Sequence, residues 1–385
     1  MESIVLTDVC KCVHTPELRL GEAELPAKAR GCRVVKHTMH GGLSDGVETV
    51  EIDNGRLSVV VLPTRGMGIW AMWLGDLRIG WHSPVRGPVH PKFVPLAEPS
   101  GVGWLDGFDE LLCRCGLVSN GAPEFDERGQ LRYGLHGRIA NLPARKVELN
   151  IAEDTGEITL IGIVEETRFL FHQLRMKTTI TLAPGENRMR VVDEVTNFSA
   201  QPGSMELLYH INIGRPLLEP GATFVAPVRD MSPRNARAAE GIGNWQRYGE
   251  PTPGFVEQVY LCELAAANDQ RTSVLLKNAT GTAGFGMRFR RDQLPCFTLW
   301  KNTGAESDGY VTGLEPGVNF PNPRSFEEKH GRVRKLAPGE TARFALELAG
   351  YDTSDEVNAA EKAVRGVVAD LNTTIHAVPD ATWCA

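Results

Sequence analysis

Runs of one charge sign are missing from this 385-residue chain: 41 Lys and Arg are scattered among 48 Asp and Glu, for a formal net charge of -7. Nucleic acid and anionic membranes both draw proteins in through a positive field, so neither is an expected partner. No apolar stretch approaches the ~20 residues that cross a bilayer as a helix. The opening MESIVLTDVCKCVHTPELRL has no basic segment followed by an apolar one, so no secretory signal is read there and a cytoplasmic location is expected. The eight cysteines are not spaced as a secreted disulfide framework. Two C-x-C pairs, Cys10/Cys12 and Cys113/Cys115, put thiols on one strand face and would allow a shared zinc ion. Structural zinc sites space their cysteines more widely, and reduced, buried thiols are the simpler reading. A dinucleotide fingerprint and a phosphate loop are both absent, so no cofactor is implied. Nor is there a fixed-period repeat, a low-complexity tract or a linker, so residues 1–385 read as one domain, with an N-terminal arm over 1–40.

Glycine and proline are plentiful, at 40 and 24 residues, and the apolar pattern is mostly of period two. Val47–Asp53 and Arg56–Leu62 flank Asn54-Gly55, the strongest short hairpin signal. Met67–Leu74, Lys146–Ala152, Ile158–Val164, Phe169–Leu182, Asn187–Asn197, Gly203–Asn212, Phe255–Leu264, Thr272–Asn278, Gly284–Arg290, Cys296–Lys301 and Arg343–Tyr351 continue the alternation. Many strands at short spacing predict an all-β sandwich or barrel. One helix is predicted over 353–372, where Val357, Ala360, Val364 and Val368 recur at helical spacing. Ser83–Asp126 is turn-rich and reads as an ordered loop system at a site's rim.

Four segments set reactive side chains beside glycine: Leu62–Gly68 (LPTRGMG), Gly134–Pro143 (GLHGRIANLP), Leu207–Gly214 (LLYHINIG) and Gly313–Arg324 (GLEPGVNFPNPR). Each reactive residue has a plainer reading. His136 would bond local backbone, His210 would be a satisfied core histidine, and Glu315 would brace a turn. Arg65 and Arg324 would match a carboxylate, phosphate or sulfonate bidentately, or hold backbone carbonyls in turns. Trp70, Trp81, Trp104 and Trp300 serve equally as sugar-stacking platforms or as core.

Taken in order, the GLHGRIANLP block, the YHINIG block with PLLEPGA after it, and the GLEPGVNFPNPR block resemble the galactose mutarotase-like superfamily, in particular its aldose 1-epimerase-like branch. The resemblance runs from about residue 40 to about residue 350. It implies a β-supersandwich with a sugar site on a concave sheet face. It further implies that His136 and His210 face the sugar ring, that Glu315 faces the anomeric hydroxyl, and that Arg65 binds sugar hydroxyls. Arg138, Asn212 and Asn319 lie in the same blocks, and His82, Arg324 and Trp300 complete the candidate substrate-binding set. The expected partner is a small-molecule carbohydrate, with a homodimer left open. Two other functions fit the same residues. His136, His210 and Glu315, with His82, would suit a divalent metal and a keto-sugar epimerase or isomerase; alternatively, the chain would be a non-catalytic carbohydrate-binding protein.

Overall fold

Asn54-Gly55 turns the chain between strands Glu48–Asp53 and Leu57–Leu62. Asn54 Oδ1 accepts from the backbone N–H of Arg56 and Leu57, and Gly55 takes φ 89°. Asp53 pairs with Ser58, and three residues, 54–56, lie between the strands, not the two that Asn-Gly predicts. The amide explains the difference. Asn54 Nδ2 donates to the carbonyls of Ala183 and Glu186 at 2.6 and 2.9 Å, tying this hairpin to a turn of the opposite sheet.

In the computed structural model, which describes residues 3–368 and 370–385, two sheets of ten and fourteen strands face one another. Alternate residues of each meet between them: Val50, Ile52, Val59 and Val61 from the larger sheet, Val147, Leu149, Ile180 and Val191 from the smaller. This is the sandwich that the period-two pattern predicts, and burial of that apolar interface is its main driving force.

The differences from expectation have local causes. Within the expected N-terminal arm, Ile4–Asp8 pairs with Lys146–Ile151 in the smaller sheet, and Arg33–Thr38 pairs with Glu48–Asp53 in the larger. The loop expected over Ser83–Asp126 contains a central strand, Leu112–Leu117. Its alternation is broken by Arg114, which is buried against Asp193 at 2.6 Å and also donates to the Met67 carbonyl. Phe169–Phe171 forms a hairpin tip between Ile158–Arg168 and His172–Leu182 in place of a strand start. The C-terminal helix spans Ser354–Arg365, capped by the Thr353 hydroxyl, and Gly366 follows at its end. The expectation reached 372; Ala369 within that stretch lies outside the described residues.

Candidate active site

Six strands of the larger sheet run side by side: Gln258–Leu264, Cys296–Asn302, Val311–Gly317, Gly203–Gly214, Leu112–Leu117 and Gly68–Leu74. Period two divides their side chains. Tyr209, Ile211 and Ile213 point into the main core, whereas Leu208, His210 and Asn212 point to the sheet's other face. On that face Trp81, Trp104, Phe108, Cys113 and Cys115 form a second apolar cluster. The segment expected to be a rim supplies Trp104, Leu105, Phe108, Ala122 and Pro123 as one wall of a cavity of about 260 Å³. His136, His210, Arg234, Glu257, Thr298, Trp300 and Glu315 also line it.

Glu315 sits within a strand, directly opposite Thr298. The turn suggested by Gly313, Pro316 and Gly317 does not occur. Glycine at 313 has another use: a methyl there would collide with Glu315 Oε1 and crowd His210. Glu315 Oε1 lies 3.2 Å from His210 Nε2. Burial, with Glu257 nearby, pushes the Glu315 carboxyl well above its ordinary range. Burial, with His136 nearby, holds His210 well below the ordinary histidine range. Both shifts favour the uncharged forms, a carboxylic acid beside a neutral imidazole.

His210 Nδ1–H donates to Asn212 Oδ1 at 2.6 Å, and Asn212 Nδ2 is anchored on the Glu110 carbonyl at 3.0 Å. This fixes the tautomer and leaves Nε2 for Glu315. His136 sits in the left-handed region, φ 57°, next to Gly137 at φ 70°. Its Nδ1–H donates to the Asn120 carbonyl at 2.9 Å, so Nε2 carries the lone pair. Burial lowers its pKa to about 4. Its ring packs edge-on to Trp104 and His210, with centroids 4.7 and 5.2 Å away. A strained backbone that aims a side chain into a cavity is a common mark of a functional position.

The remaining predicted residues divide. Trp300 lines the cavity, its indole N–H donating to Glu257 at 2.7 Å. Asn319 is fully buried behind the site; its Oδ1 accepts from Asn120 Nδ2 at 2.9 Å, which supports the carbonyl that holds His136. Arg324 donates to the Val118 carbonyl and to Ser204 Oγ, so its guanidinium is occupied away from the cavity. Arg65 is likewise no sugar ligand. It is 1% exposed, pairs with Glu110 at 2.5 Å and donates to Val89 O, Asn141 Oδ1 and Gly107 O. The bracing alternative holds for both arginines. His82 is exposed outside this cavity, and Arg138 faces a different one.

Among the described residues, no group of three or more His, Cys, Asp or Glu is arranged to share a metal ion. Cys10 and Cys12 are exposed while Cys113 and Cys115 are buried, so the two C-x-C pairs do not meet. Of the tryptophans, Trp81 is core to the second cluster, and Trp70 donates to Asp109 at 2.8 Å.

Sequence reasoning missed Asn120, Arg234, Glu257 and Thr298. Arg234 and Glu257 stand just outside strand ends, 3.7 Å apart; Arg234 lies in no predicted strand, and Glu257 read as an ordinary residue of the predicted Phe255–Leu264 strand. Thr298 looked like an ordinary strand residue, yet its buried hydroxyl has no partner, and neither does the Trp104 indole N–H. With Glu315 Oε1, three buried polar atoms are left without a hydrogen-bond partner in the walls of one cavity, ready to meet a ligand rich in hydroxyls.

Two facing sheets, with a cavity lined by His136, His210 and Glu315 on the outer side of the larger one, give the chain a galactose mutarotase-like fold. Residues 44–349 match the family described as Domain of unknown function (DUF4432), and the chain belongs to that family. A "putative aldose 1-epimerase" from Klebsiella pneumoniae is 34% identical, with 99% of each chain covered and a TM-score of 0.95. A galactose mutarotase-like protein from Clostridium acetobutylicum shares the fold at 12% identity, over 83% of this chain and 98% of its own, with a TM-score of 0.58. No curated protein matches the chain. No helix among the described residues is long and apolar enough to cross a membrane.

Proposed function

We propose that this protein is an aldose 1-epimerase that interconverts the anomers of a free sugar or sugar acid by acid–base catalysis. The observation that carries the reading is the contact of Glu315 with His210, 3.2 Å apart in an aromatic-walled cavity, a pair that in this reading rests neutral with one proton on the carboxyl to share. Moving the shared proton from Glu315 to His210 creates a carboxylate base beside an imidazolium acid without taking a proton from water. Glu315 then removes the anomeric hydroxyl proton; the released electron pair forms the C1 carbonyl as the bond from C1 to the ring oxygen breaks. His210 Nε2–H protonates that oxygen. Rotation about C1–C2 presents the other carbonyl face, and the same transfers in reverse close the ring. The proton count is unchanged over the cycle, and each positioned transfer is worth roughly 10²–10⁴-fold.

His136 faces the sugar ring in this reading. With Nδ1–H on Asn120 and a neutral ring, Nε2 accepts from a sugar hydroxyl and orients the ring. Thr298 Oγ1 and the Trp104 indole N–H supply further polar contacts, and Trp300 and Phe108 supply apolar faces for sugar C–H groups. Magnetisation-exchange NMR on a panel of neutral hexoses, pentoses and uronic acids tests the reading. Exchange between anomers should quicken for one sugar class. A folded protein that leaves every member at the water rate overturns it.

A further inference from the structure

A second cavity, of about 310 Å³, lies behind the peptide that carries His136. Residues 134–138 form the shared wall: His136 faces the first cavity and Arg138 the second. Arg168, at the end of the Ile158–Arg168 strand, faces Arg138's cavity from the smaller sheet. Among the described residues neither guanidinium has a carboxylate within 4.0 Å, although Arg132 beside them is paired with Glu124. Two guanidiniums without a carboxylate partner in one concavity, Arg168 also lying 4.4 Å over the Phe171 ring, stand out in a chain of net charge -7.

The deep wall is polar and partly unsatisfied. Ser119 is 2% exposed, and its buried hydroxyl has no partner. His172 Nε2, opposite Arg168 in the hairpin register, is also buried without one. Glu166 is 2% exposed and accepts the Leu117 N–H at 2.6 Å. Burial raises its pKa to about 7, so at neutral pH it both accepts from and donates to hydroxyls. Tyr133 offers a ring at the side.

We infer that this cavity is a second ligand site, separate from the acid–base site, for a small polyhydroxylated anion. Arg138 and Arg168 hold its oxyanion, and Ser119, Glu166 and His172 take its hydroxyls. The oxyanion could be the carboxylate of a sugar acid or the phosphate of a sugar phosphate, since a guanidinium matches both.

Isothermal titration of the full chain with gluconate, glucose 6-phosphate, inorganic phosphate and neutral glucose tests the inference without requiring turnover. At least one of the two anionic polyols should bind more tightly than inorganic phosphate. Which of them binds distinguishes carboxylate from phosphate. The double variant Arg138→Gln/Arg168→Gln, which removes two exposed side chains without a carboxylate partner, should weaken that binding by about 10–100-fold. It should leave any glucose binding unchanged. Arg168→Glu, at the hairpin end, gives the same loss by charge reversal, independently of the His136 peptide. Failure of both polyols to bind, inorganic phosphate binding as tightly as they do, or binding indifferent to these substitutions would overturn the inference.

Discussion

Glu315 Oε1 and His210 Nε2 lie 3.2 Å apart, each delivered by its own strand, and the strands are antiparallel neighbours that pair Ile211 with Leu314. Contact between two buried titratable groups couples their titration, so the pair and not either residue sets the pH dependence. Burial raises the carboxyl and lowers the imidazole, which widens the pH range over which exactly one proton is held between them. The anomer-exchange rate, corrected for the spontaneous reaction, should stay flat through neutral pH. In acid it should fall only below the ordinary histidine range, as His210 takes a second proton. In alkali it should fall above the ordinary carboxylate range, as the shared proton is lost. An acid limb centred on the unperturbed histidine value, ~6.5, would contradict this.

Asn212 touches His210 and not the cavity, so it acts by positioning. Asn212→Leu should free the imidazole to rotate and lower kcat by about 10²-fold, the scale expected for a misplacement near 1 Å. KM should change little, because Trp300, Thr298 and Arg234 remain. Steady-state kinetics give the split, and a large rise in KM with unchanged kcat would assign Asn212 to substrate binding.

Gly313 has no side chain to contribute, yet its close approach to Glu315 makes it a sensitive position. Gly313→Ala should push the carboxylate off His210 and reduce turnover by about 10²-fold, with thermal unfolding shifted by no more than a few degrees. Turnover equal to wild type would mean that the carboxylate can move without loss.

Arg65 should behave as a structural residue. Arg65→Met leaves Glu110 buried without its cation and should destabilise the fold by about 3–5 kcal/mol. Denaturant unfolding measures this directly. A variant of wild-type stability with a raised KM would return Arg65 to the substrate.

Alternation along Lys146–Ala152, Ile158–Val164 and Asn187–Asn197 exposed the sandwich, because residues with one face in a core must alternate. Leu112–Leu117 escaped, since its buried Arg114 makes sense only beside Asp193, a partner 79 residues away in sequence. The site divides along the same line. His136, His210, Glu315 and Trp300 stood out through their glycine neighbours and the family blocks, and the cavity brings them together. Arg234 and Glu257 did not stand out, because strand order alone brings their loops to the cavity. Arg65 misled in the opposite direction: an arginine in a glycine turn looks the same in sequence whether it reaches for a ligand or for buried carbonyls.

Whether Glu315 is the base of an anomer-exchange reaction is tested most directly by comparing wild type with Glu315→Gln by magnetisation-exchange NMR on the sugar that the panel selects. Glutamine keeps the shape and the close approach to His210 but cannot take the anomeric proton. Wild type should accelerate exchange, and the variant should lose at least about 10²-fold while keeping near-native sugar binding and unfolding. A Glu315→Gln protein that exchanges anomers as fast as wild type would contradict that role.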